Sequence, residues 1–157
     1  HGVKPAGDQL VLLARNESGY GNLLKLTSKS YVESEHGDHQ ISLEEVIRHS
    51  DGVIALTGGP EGAVGRLLAE GQLQKARGMI EQLRDAFPDR LYVELMRHGL
   101  EIERRIEDDM VQLAFDYEIP LVATNDVYFP MPTCMKLMTC CCASRAETTF
   151  PRKTAAV

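Results

Sequence analysis

The chain has 157 residues, with 17 Lys and Arg against 23 Asp and Glu, a formal net charge of −6 and 43% hydrophobic residues. This composition is typical of a globular domain or of a piece of a larger one, and it argues against a surface that binds nucleic acid unaided. No apolar run approaches the roughly 20 residues of a membrane helix and no secretory pattern opens the chain, so we expect a cytoplasmic protein.

The first third of the chain predicts one strand and two helices. Residues 9–14 form a short apolar run that is typical of a buried strand. One face of the helix that follows carries Tyr20, Leu23, Leu24, Thr27 and Tyr31. Residues 33–40 are polar and predict a loop. Ser42 and Glu45 then form a capping box for a short helix that should end near His49.

Three further apolar runs predict three further strands. They lie at residues 53–56, 91–96 and 121–124. The first of them ends in a sharp turn at residues 57–60, which leads into a short helix around Leu67.

Two longer helices are indicated by apolar residues spaced three and four positions apart. The first carries Leu73, Ala76, Ile80, Leu83 and Phe87, and Pro88 ends it. The second, from about residue 101 to 117, should bury Ile102, Ile106, Leu113 and Tyr117.

The alternation of apolar strands and helices indicates an α/β protein. Strands of near-continuous apolar character predict a parallel sheet with helices on both faces. Four strand–helix units are too few to close a barrel, so they fit either half of a barrel or an open doubly wound sheet.

Ligands of parallel α/β folds bind at the carboxyl ends of the strands, where Glu94, His98 and Asp126 are the only plausible set. Two carboxylates and an imidazole can hold a divalent metal for phosphoester hydrolysis. Alternatively, each side chain caps a neighbouring turn or forms a surface ion pair. Gly58 and Gly59 could cradle a phosphate, but without a Walker or G-x-G-x-x-G pattern a structural turn is favoured.

Four blocks of the chain carry a family resemblance. They read L-V-L-L-A-R-N-E-S-G-Y-G-N-L-L-K-L-T-S-K-S-Y, G-V-I-A-L-T-G-G-P, Y-V-E-L-M-R-H-G and L-V-A-T-N-D-V-Y-F, in this order between Leu10 and Phe129. Together they resemble the N-terminal PHP (polymerase and histidinol phosphatase) domain of bacterial replicative DNA polymerase III alpha subunits. The resemblance implies a distorted seven-stranded α/β barrel, of which residues 1–132 hold the later strands as a partial PHP domain.

The same resemblance implies a parent enzyme, a DNA-directed DNA polymerase that replicates the chromosome with Mg²⁺. Its catalytic aspartates would lie far downstream, so we expect no catalytic residue and no cofactor in this chain. The implied partners are the proofreading exonuclease subunit and other replicase subunits, with DNA contacted only through the parent chain. The related error-prone polymerase, which uses the same domain, is a further interpretation.

The metal-binding members of the family have cysteine at the position of Gly59 and histidine at that of Tyr128. Glycine offers no ligand, and the tyrosine phenol has a pKa of about 10. Glu94, His98 and Asp126 match retained positions but form an incomplete set. The earliest histidine motifs would precede His1, which suggests a chain that begins within the domain.

The resemblance therefore favours a domain that has lost catalysis and serves as a scaffold. The alternative from another class is a PHP-type metal-dependent phosphoesterase or 3′–5′ exonuclease that acts through the retained Glu94, His98 and Asp126.

The end of the chain differs in composition from the rest. Residues 133–157 carry four Lys and Arg against one Glu, a charge of +3, which leaves 13 against 22 and a charge of −9 for residues 1–132. This segment also holds Cys134, Cys140, Cys141 and Cys142. Three consecutive cysteines are poorly spaced for a tetrahedral zinc site.

A shift of reading frame accounts for this segment. Suitable codons for T-C-M-K-L-M-T-C-C-C-A-S-R, read one base earlier, give D-M-Y-E-A-H-D-V-L-L-C-I-A, which again resembles the polymerase family. We therefore predict a single-base deletion, or a sequencing error, near Met131 and Pro132, with residues 133–157 as an out-of-frame tail that forms no domain.

Overall fold

A computed structural model of the chain describes residues 7–32 and 39–125, which all belong to one compact unit. The described elements are β1 (Val11–Ala14), α1 (Glu17–Val32), α2 (Leu43–Arg48), β2 (Val53–Leu56), a 3₁₀ turn (Gly59–Glu61), α3 (Ala63–Ala69), α4 (Leu73–Ala86), β3 (Leu91–Met96), α5 (Glu101–Asp116) and β4 (Leu121–Thr124). All four predicted strands are present. None of the described helices is both long and apolar enough to cross a membrane.

The four strands form one mixed sheet in the order β1-β2-β3-β4. β2, β3 and β4 are parallel, as the sequence predicted. β1, however, is antiparallel to β2, with Leu13 opposite Ile54. The prediction of a parallel sheet is therefore wrong at β1.

The start of β2 lies beside the end of β1. There the N–H of Arg15 donates to the carbonyl of Gly52 over 2.8 Å. The Ser18 hydroxyl and the Asn22 side-chain amide each bind Asp51 at 2.9 Å. An apolar run indicates burial, but it does not specify the direction of a strand.

The hydrophobic core lies on one face of the sheet. Val53, Ala55, Leu91 and Val93 are at most 3% exposed on that face. They pack in one cluster with helix residues Leu26, Val46, Val64, Leu67, Leu68, Ala76, Ile80, Leu83, Ile106, Met110, Leu113 and Ala114. Residues alternate between the faces of a strand, so Leu13 lies on the opposite face, where it is 49% exposed.

Within residues 7–32 and 39–125, helix side chains pack in one cluster with this face of the sheet. The predicted cover of helices on both faces stays a prediction. An apolar strand indicates that both faces are suited to burial, but it does not say what covers the second. The described part is an α/β fold with one mixed four-stranded sheet, which fits a partial PHP domain. The seven-stranded barrel stays a prediction.

The predicted apolar face of α1 is mostly exposed. Tyr20, Leu24 and Tyr31 are all more than half exposed, whereas Gly19 and Leu26 are buried. The cause is a close approach at Gly19, where a Cβ would lie 1.8 Å from the carbonyl oxygen of Gly52. Because this contact admits only glycine, it fixes the start of the helix and turns Leu26 towards the core.

In α5 the predicted burial of Ile106 and Leu113 is confirmed, and Tyr117, just after the helix, is half-buried. The burial predicted for Ile102 is wrong, since 40% of this residue is exposed. The first-turn position on the buried face belongs to Glu103, which lies three residues before Ile106 and is 5% exposed.

The predicted helix signals are confirmed at α2. The N–H of Glu45 donates to the Ser42 hydroxyl oxygen at 3.3 Å, and the helix ends at Arg48. α4 ends at Ala86, two residues before the proline that was predicted to stop it.

Candidate functional site

A buried carboxylate lies where β2, β3 and β4 end. Glu94 of β3 is 3% exposed, and both of its oxygens accept hydrogen bonds. The N–H of Gly58 donates to Oε2 at 3.0 Å, and the Thr124 hydroxyl donates to Oε1 at 2.6 Å. The N–H of Glu94 in turn donates to the hydroxyl oxygen of Thr57 at 3.0 Å. These bonds compensate for the removal of the carboxylate from water, and they join the ends of three strands.

The turn after β2 presents its backbone to this carboxylate. Gly58 and Gly59 both have positive φ angles, of 78° and 55°. A Cβ on Gly58 would lie 2.5 Å from the carbonyl oxygen of Gln9, and the turn continues into the 3₁₀ segment and α3. The N–H of Gly58 is directed at Glu94, so the two glycines form the structural turn that the sequence favoured over a phosphate cradle.

Gly59 lies against the side chain of Met96. A Cβ at position 59 would be 3.1 Å from the Met96 sulfur and 3.3 Å from its terminal methyl carbon. A cavity between these two residues, Glu94 and Glu103 has a volume of about 10 Å³, which is enough for about one water molecule. The space beside Gly59 is thus nearly filled by the chain itself.

His98 lies in the loop between β3 and α5, where it binds a second buried carboxylate. Its Nδ1 is 2.7 Å from Oε1 of Glu103. The other oxygen of Glu103 accepts the N–H groups of His98, at 2.8 Å, and of Leu100, at 3.0 Å. Glu103 therefore caps the start of α5 and holds the loop that carries His98.

The pKa of Glu103 reflects two opposing effects. Burial raises the pKa, but the hydrogen bonds from the His98 ring and from the N–H groups of Leu100 and His98 outweigh burial, so the pKa lies below its usual value. The carboxylate is ionised at neutral pH and acts only as an acceptor, which assigns the proton of the shared bond to Nδ1 of His98.

Glu103 is the site residue that sequence reasoning missed. The signal was present, because a glutamate at the third position of a helix is a common backbone cap. It was overlooked because the N-cap residue, Leu100, has no side-chain oxygen and cannot form the reciprocal half of a capping box. Thr124 was also missed as a partner, since a contact between residues 94 and 124 leaves no local pattern.

Comparison with known proteins identifies the family. The model of the PHP domain family matches residues 2–98, which is more than half of the chain. The chain belongs to the PHP domain family. The predicted resemblance is thereby confirmed.

Several curated relatives of this PHP chain are named DNA polymerase III subunit alpha. The protein of Caulobacter vibrioides is 44% identical over 124 residues, which cover 78% of this chain and 11% of the relative. Those of Rickettsia felis and Vibrio cholerae are 40% and 39% identical over 80% and 77% of the chain, and over 10% of their own length. The chain thus spans about a tenth of the length of these relatives.

The metal positions of the PHP family can be compared with the described residues. Glu94 and His98 each bind a different neighbour, and Asp126 and Tyr128 lie outside the described residues. In residues 7–32 and 39–125 no group of three His, Cys, Asp or Glu side chains could hold a metal ion. A divalent cation needs several oxygen or nitrogen ligands around one point, and the described residues by themselves do not supply such a set. The contacts of Glu94 match the alternative in which this side chain caps a turn.

Proposed function

We propose that this chain is part of the PHP domain of a replicative DNA polymerase III alpha subunit and that it acts there as a non-catalytic scaffold. The family match and the names of the relatives support the parent assignment. The parent would be a DNA-directed DNA polymerase that uses Mg²⁺ at residues outside the present chain.

One observation carries the scaffold role: both oxygens of Glu94 are bonded within the protein, to Gly58 and Thr124. Each hydrogen bond occupies a lone pair of the carboxylate and offsets part of the charge that would attract a metal ion. Here the donors are a backbone N–H and a hydroxyl of adjacent elements. The arrangement supports a role for Glu94 in holding the strand ends together.

The competing function is a metal-dependent phosphoesterase or 3′–5′ exonuclease that acts through Glu94, His98 and Asp126. Metal content and phosphoesterase activity of the intact alpha subunit that carries this chain distinguish the two functions. We expect no stoichiometric zinc or manganese in its PHP domain and no hydrolysis of p-nitrophenyl phosphate. Metal at one or more equivalents per domain, together with turnover that Glu94→Gln abolishes, would contradict the scaffold role.

The partner that we propose for the scaffold is the proofreading exonuclease subunit of the replicase. Co-purification and calorimetric titration of the intact alpha subunit with this partner should give a stable complex. Removal of residues 1–125 from the alpha subunit should abolish it. A complex of unchanged affinity after this removal would place the docking site elsewhere and contradict this part of the proposal.

A further inference from the structure

The disagreement between this site and a metal centre has a structural basis in two side chains, Met96 and Thr124. We propose that Thr124 supplies to Glu94 the positive partner that a cation would otherwise supply, and that Met96 fills the space beside Gly59 that a ligand side chain would need. Glu94 is then a structural residue that joins β2, β3 and β4. This inference rests on the non-catalytic role proposed above, and it explains why a metal ion would not bind beside Glu94.

The carboxylate of Glu94 already has donors within the protein. Among the described residues, Gly58 and Thr124 donate to this carboxylate, one to each oxygen. A cation beside either oxygen would share it with a donor that already partly neutralises the carboxylate. A cation that took the place of either donor would leave the displaced N–H or hydroxyl without a partner in a region where Glu94 is 3% exposed.

The side chain of Met96 occupies the space beside Gly59. A side chain at position 59 would begin 3.1 Å from the sulfur of Met96, closer than ordinary van der Waals contact. The φ angle of 55° at Gly59 also disfavours any residue with a Cβ. Because the thioether side chain is flexible, it fills the irregular gap that the glycine leaves. A side chain at position 59 would therefore require the side chain of Met96 to move.

Strand pairing brings Thr124 of β4 next to Glu94 of β3. Residues 94 and 96 of β3 lie on one face, and Thr124 of β4 is paired with Met96 on that same face. Thr124 is thus diagonal to Glu94 and reaches it across one strand spacing. The bond ties the end of β4 to β3, and through Gly58 the same carboxylate holds the turn after β2.

A double-mutant cycle tests whether Glu94 and Thr124 act together. Glu94→Gln, Thr124→Val and the double variant of the full 157-residue chain are unfolded with urea in the presence of EDTA and followed by far-UV circular dichroism. We expect each single change to raise the unfolding equilibrium constant about tenfold or more, and the double variant to fall at least about fivefold short of the product. Additive effects would overturn the inference.

Two control variants keep the cycle interpretable. Thr124→Ser keeps the hydroxyl and should stay within about threefold of the wild type, even if Thr124→Val fails to fold. Thr27→Val removes an exposed hydroxyl that binds only its own helix, at the carbonyl of Leu23, and should change the unfolding constant about threefold at most. Equal losses for Thr124→Ser and Thr124→Val would contradict the role of the hydroxyl.

A metal titration gives the second readout. Zn²⁺ and Mn²⁺ are titrated separately into the wild type and into the Gly59→Cys and Gly59→Cys/Met96→Ala variants by calorimetry. We expect no metal binding that depends on Glu94, meaning binding that Glu94→Gln abolishes, in the wild type or in Gly59→Cys, and Glu94-dependent Zn²⁺ binding only when Met96 is also removed. Stoichiometric binding by the wild type that Glu94→Gln abolishes would overturn the inference.

The two proposals fail in different ways. Additive effects of Glu94 and Thr124 without wild-type metal binding would overturn this inference and leave the scaffold role in place. Wild-type metal binding accompanied by phosphoester turnover would overturn both.

Discussion

The imidazole of His98 and the carboxylate of Glu103 meet with Nδ1 2.7 Å from Oε1, in the loop that connects β3 to the first turn of α5. The other carboxylate oxygen binds the N–H groups of His98 and Leu100. The buried side chain of Glu103 therefore makes three of the bonds that shape this loop. The position of His98, which the sequence predicted as a metal ligand, is set by a residue to which the sequence analysis gave no role.

Replacement of Glu103 should destabilise the chain more than replacement of its exposed neighbour. Glu103→Gln removes the charge that three donors share, which should cost about 1–2 kcal/mol in the free energy of unfolding. Glu101→Gln, in the same helical turn, should cost a few tenths of a kcal/mol, about the effect of the helix dipole on an exposed carboxylate. Urea unfolding measures both, and equal losses would contradict the assigned role of Glu103.

The contribution of Glu103 should also depend on pH. Its pKa in the folded chain is lower than the ordinary value of 4.5, so folding favours the ionised form. The resulting stability is fully present above pH 4.5 and is lost as the pH falls through the lower folded pKa. The difference in unfolding free energy between the wild type and Glu103→Gln should therefore shrink below pH 4.5. A difference that stays constant from pH 7 to pH 3 would refute this linkage.

The sequence predicted the positions of the strands better than it predicted their relationships. β3 and β4 have the predicted bounds because their apolar runs are sharply delimited by polar or turn residues. The direction of β1 could not be predicted, since the contacts of Ser18 and Asn22 with Asp51 join residues that lie 33 and 29 positions apart and leave no local pattern. The buried face of α1 is set by contact with Gly52, and such a contact leaves no signal in hydrophobic periodicity.

The candidate site shows the same limit. Glu94 could be singled out because it stands alone among apolar residues near the end of a strand. Its partners could not, because Gly58 and Thr124 lie 36 and 30 residues away in sequence and meet it only through strand order and register. Residue type therefore indicated where a charge lies, while the fold determined what the charge does.

The segment that follows the described residues yields a prediction at the level of the gene. If residues 133–157 are an out-of-frame tail, restoring one base near the codon for Met131 should give an open reading frame beginning D-M-Y-E-A-H-D. Its translation should extend the alignment with the polymerase III alpha subunits beyond the 124 residues that match in Caulobacter vibrioides. Sequencing of the gene on both strands tests this directly, and codons incompatible with the shifted reading would exclude the hypothesis.

The close approach of α1 to the start of β2 gives the sharpest stability prediction. Gly19→Ala would put a Cβ 1.8 Å from the carbonyl oxygen of Gly52, so the helix would have to move. The shift would disturb the hydrogen bonds of Ser18 and Asn22 to Asp51 and the burial of Leu26, and it should cost at least about 2 kcal/mol.

Gly21→Ala is the matched control, because a Cβ at Gly21 meets nothing within 4 Å. It should stabilise the chain by about 0.5–1 kcal/mol, the ordinary gain of alanine over glycine inside a helix. Urea unfolding of both variants measures the contrast, and a destabilising Gly21→Ala or a neutral Gly19→Ala would show that α1 does not pack on β2 in this way.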